Sequence, residues 1–206
     1  MGILNFLKGS YSGKVGATVG AKWKNKGTVR TYAVPANPRT PAQQNTRTGF
    51  AEVSSFVALF ADQIKRLTAL DTRGMSVRNA ILKLNSNQIS DGGLDKPYLI
   101  ISRGGLPNVS NFTAAVPNGL ASINCTWNAA VASTLSDKAV VVVVAVDEDN
   151  KRAYVGSAPN SEGVLSIPGP VVASTELDVY WYILDYRGSS KVASINDYDN
   201  VTSPAS

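Results

Sequence analysis

The sequence predicts an α+β chain built from an N-terminal β-hairpin arm, a helical hairpin and a C-terminal antiparallel β-sandwich. Three observations carry this. Glycines punctuate β-branched and aromatic residues over 9–34, apolar residues recur at helical spacing over 50–67, and the apolar period drops to two after Pro97. With 206 residues the chain is long enough to bury a substantial core. The changes of pattern divide it into residues 1–38, 39–96, 97–196 and a tail, 197–206.

In the arm, Val15, Val19, Trp23 and Thr28–Tyr32 favour extended backbone. Asn25-Lys26-Gly27 predicts a turn joining Ala21–Lys24 to Thr28–Ala33. A two-stranded hairpin alone is marginal in water, so the arm is expected to pack on the rest of the chain or on another subunit. Pro35, Pro38 and Pro41 stiffen the linker that follows. Thr40 then suits a helix N-cap, Pro41 the first helical position, and Gln43 the third. Phe50, Val53, Val57, Phe60, Ile64 and Leu67, spaced 3, 4, 3, 4, 3, form one helical stripe that Phe56 widens. Fewer than three heptads do not decide between a helix on its own core and an oligomer seam. A second helix is predicted over Ser76–Gln88, with Val77, Ala80, Ile81 and Leu84 on one face and Asp91-Gly92-Gly93 as its stop.

Beyond Pro97 the predicted strands are Tyr98–Ser102, Ile123–Trp127, Ala139–Val146, Tyr154-Val155, Val164–Ile167, Leu177–Leu184 and Lys191–Ile195. About seven short strands with turns between them describe an immunoglobulin-like sandwich. Alternation turns Trp181 inward and Tyr180 and Tyr182 outward, which makes the two tyrosines candidates for an aromatic platform. Cys125 and Trp127 share the inward face.

Composition excludes several chemistries. With no histidine there is no Ser-His-Asp triad and no imidazole base, and one cysteine makes neither an intrachain disulfide nor a thiolate cage. Gly9-Ser10-Tyr11-Ser12-Gly13-Lys14-Val15 is one residue short of a phosphate loop and lacks its hydroxyl. Asp147–Asn150 and Asp197–Asn200 lack the spacing of a calcium loop and read as polar turns. No enzyme activity, metal or cofactor is expected. No run reaches the roughly 18 apolar residues of a membrane span, and the start lacks a secretory pattern, so no membrane role is expected either.

Charge is the remaining signal. The net of +5 conceals +9 over residues 1–96 (14 Lys+Arg, 5 Asp+Glu) and −4 over 97–206 (6 and 10). The first acidic residue is Glu52. An acid-free basic stretch of this length suits an acidic partner. Its candidate docking residues are Lys14, Lys22, Trp23, Lys24, Lys26, Arg30, Tyr32, Arg39 and Arg47, with Trp23 and Tyr32 available for stacking if the partner is nucleic acid.

Ser12-Gly13-Lys14-Val15-Gly16, with Val19-Gly20 and Arg30 downstream, resembles the N-terminal signature of an uncharacterised family common in Bacteroidota and their bacteriophages, including crAss-like phages. Asn37-Pro38-Arg39-Thr40-Pro41-Ala42-Gln43-Gln44, followed by Arg47 and Phe50, resembles its second signature. Ser102-Arg103-Gly104-Gly105-Leu106-Pro107, then Trp127, Asp137 and a closing strand near Ser194, extend the likeness over nearly the whole chain. The resemblance implies a virion component made in the host bacterial cytoplasm: a head-associated fibre, decoration or neck protein contacting capsid or neck proteins. It carries no catalytic residues. A homo-oligomer is expected. The alternatives are a nucleic-acid-binding protein using the basic arm and a carbohydrate- or host-surface-binding adhesin using the sandwich.

Overall fold

The structure, a computed structural model, describes residues 3–5, 10–23, 26–34, 39–86 and 94–205, without the side chains of 3–5, 10 and 23. Lys24, Asn25, Pro35, Pro38 and the expected helix stop at 91–93 lie outside the described residues. The chain forms two compact units, Met1–Thr40 and Pro41–Ser206.

The first unit is a four-stranded antiparallel meander of β1 (Ile3–Asn5), β2 (Ser10–Val15), β3 (Thr18–Trp23) and β4 (Lys26–Thr31). The expected single hairpin is corrected in two ways. Trp23 faces Lys26 in register, so Lys26 and Gly27 belong to β4 and not to the turn. A second tight connection at Gly16-Ala17 joins Val15 to Thr18, and a two-residue loop of this kind matches strand twist. Among its described residues only Gly20, beneath the Tyr11 ring, is buried, and every described side chain is exposed or half-buried.

The second unit opens on α1 (Pro41–Ala58), which starts at the proline as the sequence predicts. The expected helix through Leu67 is shorter. After Ala58 the hydrogen bonds tighten, as in Leu59 N–H to Phe56 C=O (3.1 Å), and Gln63–Arg66 is a 3-10 turn. Phe60, Ala61 and Ile64 stay buried through it. α2 (Val77–Asn85) is capped by Ser76 Oγ, which accepts the Asn79 N–H at 3.2 Å.

Two sheets follow. One is β5 (Ser110–Ala115), β6 (Ser122–Asn128) and β9 (Val164–Pro168), in the order β5-β6-β9. The other contains β7 (Val140–Asp147), β8 (Arg152–Pro159), β10 (Glu176–Arg187), β11 (Ser190–Ala193) and β12 (Asp197–Thr202). Its order is β11-β10-β7-β8, with β12 also on β10. Every pairing within the sheets is antiparallel. Between the sheets Ile123, Cys125 and Trp127 meet Val141, Val143, Val179, Trp181 and Ile183. The other face of the second sheet, Val142, Val144, Val146, Tyr180, Tyr182 and Leu184, packs on Val53, Phe56, Val57, Phe60, Ile64 and Ile81. The unit therefore has three layers: helices, central sheet, outer sheet. Burial on both faces explains why β7 reads as an unbroken apolar run.

Three further expectations change. Tyr98–Ser102 is not a strand. Lys96–Tyr98 is a 3-10 turn, and side chains replace a ladder beyond it. Asn85 Oδ1 accepts the Ile100 N–H (2.8 Å), and Asn196 Oδ1 accepts those of Ile101 (2.8 Å) and Ser102 (3.1 Å). The predicted tail is β12, whose Asp197–Asn200 pairs with β10 and is not a turn. Gly104 passes so close to β11 that a Cβ there would stand 1.8 Å from the Ala193 carbonyl oxygen.

Candidate docking surface

The first unit gathers most of the predicted docking residues. Register places Lys14, Val19 and Arg30 in one row across β2, β3 and β4. Two-residue alternation along β4 puts Lys26 and Tyr32 on that face with Arg30, while Lys22 falls on the other. Lys14 Nζ sits 3.6 Å from the Tyr32 ring centroid, a cation–π contact. Lys14, Lys22, Lys26 and Arg30 are all exposed. Since no Asp or Glu precedes Glu52, no carboxylate side chain inside this unit neutralises them. Trp23 faces Lys26 in register, Lys24 is outside the described residues, Arg39 lies past β4 at the end of the unit, and Arg47 belongs to α1 in the second unit.

The stripe expected as a possible oligomer seam is corrected. Val53, Val57, Phe60 and Ile64 are fully buried against the chain's own central sheet, Leu67 is half-buried at its margin, and Phe50 is left 39% exposed. The valine and tyrosine face of the sheet occupies the stripe. The tyrosine platform is corrected by the same packing. Tyr180 and Tyr182 are buried under the helices, donating hydrogen bonds to the carbonyls of Lys96 (3.0 Å) and Leu67 (2.6 Å). Burial pushes both phenol pKa values up. Cys125 is in the core as expected, its thiol pushed by burial up to about 12.

Sequence reasoning missed two polar networks. Lys96 Nζ reaches Glu148 (2.8 Å) and Asp178 (2.9 Å), and Asp178 also accepts the Tyr198 hydroxyl (2.8 Å). Asp185, fully buried, accepts from Ser136 and from Arg187 Nε (3.0 Å), while Asn160 clasps both backbone groups of Ala130. Together they hold the 129–139 loop, which leaves Val131 97% exposed. The partners are too far apart in sequence to form a motif. Concavities of about 620 Å³ (Leu70, Arg73, Lys83, Arg103) and about 540 Å³ (Ala129–Ala132, Asn160) lie in the second unit, and among the described residues no three metal-ligating side chains cluster. Among the described residues no helix is long and apolar enough to cross a membrane, which says nothing of a β-barrel.

Comparison with known proteins adds little chemistry. The fibronectin type III domain of human collagen alpha-1(XX) is similar at 14% identity over 50% of this chain and 87% of that one, with a TM-score of 0.34, too low to argue from. A search of curated proteins gives no match. A family model matches residues 10–195, and the chain therefore belongs to that family, one of unknown function (DUF6266).

Proposed function

We propose that this chain is a non-enzymatic structural component of a bacteriophage particle, docking through its basic N-terminal sheet on an acidic protein surface and presenting the helix-backed sandwich. One observation carries the reading. The Met1–Thr40 unit is a sheet whose described side chains are all exposed or half-buried, with exposed basic groups among them and no Asp or Glu in its sequence. A small sheet whose described side chains leave both faces open to solvent is stabilised by a surface that covers it. Its charge selects an acidic one. The phage setting rests on the two N-terminal signatures.

The test is mass spectrometry of purified particles made with the full chain or with residues 1–38 deleted. The full chain is expected in fixed stoichiometry, matching the capsid protein for a decoration role or a single vertex ring for a neck role. The deleted chain is expected to be expressed and absent from particles. Truncated protein at full occupancy would sink the proposal.

A second reading is nucleic-acid binding, favoured by exposed Tyr32 beside Lys14. It requires affinity for DNA or RNA that falls steeply with salt. No binding at low salt removes it.

A further inference from the structure

We infer that the outer edge of β4 in one copy pairs antiparallel with the outer edge of β12 in a second copy, joining copies head to tail. This rests on the docking reading above and names its acidic surface. Among the described residues β4 pairs only with β3, and β12 only with β10. Each therefore offers a row of unpaired backbone groups. Neighbouring β11 is not open in this way, because Leu106 bridges to Ser194 and donates its N–H to the Ala193 carbonyl at 3.2 Å.

The two edges carry opposite charge. Lys26 and Arg30 stand on β4, and Asp197 and Asp199 on β12. All four are exposed. Neither aspartate is salt-bridged among the described residues. Asp197 accepts from Asn108 Nδ2 (3.0 Å) and Asp199 from the Asn200 N–H (2.8 Å), both neutral donors. Pairing β4 with β4 sets cation against cation, and β12 with β12 anion against anion, so each edge repels its own kind. Only the mixed pair is attractive.

Backbone direction selects the register. Tyr32 N–H bonds the Ala17 carbonyl (2.7 Å), so even-numbered β4 residues point their backbone groups at β3, and Gly27, Val29 and Thr31 point outward. Ser203 N–H bonds the Thr175 carbonyl (2.9 Å), so odd-numbered β12 residues point at β10, and Tyr198, Asn200 and Thr202 point outward. Hydrogen-bonding Val29 to Tyr198 and Gly27 to Asn200 puts Arg30 opposite Asp197 and Thr28 opposite Asp199, with Lys26 diagonal to Asp199. Those charged positions are the non-hydrogen-bonded ones, where facing side chains stand closest. The contact is heterologous, so it closes into a ring or extends into a fibre.

The experiment is sedimentation velocity of the full chain across concentration and salt. The wild type is expected to associate with rising concentration and to dissociate in high salt. K26E/R30E and D197K/D199K are each expected to associate about tenfold or more weakly. A mixture of the two variants is expected to recover association, since the acidic arm of one meets the basic edge of the other while the reverse contact keeps its wild-type charges. Recovery also proves that both variants fold. A wild type that stays monomeric, variants that assemble normally, or a mixture that does not recover would overturn the inference. A monomeric wild type whose arm deletion still abolishes entry into particles would overturn this partner alone and leave the docking reading standing.

Discussion

Lys96 ties together three segments distant in sequence: the start of the sandwich, the β7–β8 turn at Glu148, and β10 at Asp178. Burial works against its charge, and the two carboxylates outweigh it, so its pKa stands above the ordinary lysine value. Lys96→Met strands Asp178, whose side chain is 4% exposed, beside a neutral partner. A fully buried pair would lose about 3–5 kcal/mol. With Lys96 33% exposed the expected loss is nearer about 2 kcal/mol in urea unfolding, and it shrinks in the double variant with Asp178→Asn. Lys96, Tyr180, Tyr182 and Cys125 all hold their protons more tightly folded than unfolded. Their contribution is complete below the unfolded values of about 9 to 10 and is lost as pH rises toward the folded ones. Unfolding free energy measured against pH is therefore expected to fall from about pH 9 upward; a flat profile through pH 12, the value to which burial raises the Cys125 thiol, would contradict the packing. Gly104→Ala sets a methyl against the Ala193 carbonyl and should cost about 2–3 kcal/mol.

At the scale of elements, the central sheet decides what the helices are for. Phe60 is fully buried and Phe50 is 39% exposed, although both belong to one stripe. Phe60→Ala is expected to cost about 3–5 kcal/mol and Phe50→Ala about 1 kcal/mol or less, with no change in oligomeric state for either. Sedimentation alongside denaturation checks both; a monomer–oligomer shift in Phe60→Ala with stability unchanged would restore the seam. Most strands, both helix starts and the core roles of Cys125 and Trp127 were legible because period and capping are local properties. The layering was less so. An all-apolar β7 signals burial on two faces but does not name the covering element, and the period-two rule wets one face of a strand such as the 12-residue β10, which is covered on both. Tyr98–Ser102 looked like a strand because its side chains suit one, while its backbone partners, Asn85 and Asn196, are visible only after folding.

At the scale of the whole molecule, the charge asymmetry follows the division into units. The chain before the Thr40–Pro41 boundary carries no acidic residue, and the salt bridges of the described residues all lie after it. The docking residues were legible as a basic run, but their sorting was not. That Lys14, Lys26, Arg30 and Tyr32 share one face and Lys22 the other follows from two registers, Val15 on Thr18 and Trp23 on Lys26, which composition does not reveal. The central claim is that the first unit, whose described side chains are exposed or half-buried, is covered by a partner. Hydrogen–deuterium exchange of the full chain, dilute in solution and then in purified particles, tests it most directly. The account predicts that β7 and β10 are already protected in the dilute chain and that new protection in particles concentrates in 10–34 and at the outer edge of β12. Equal exchange of 10–34 in both states, with new protection falling on the 129–139 loop instead, would contradict it.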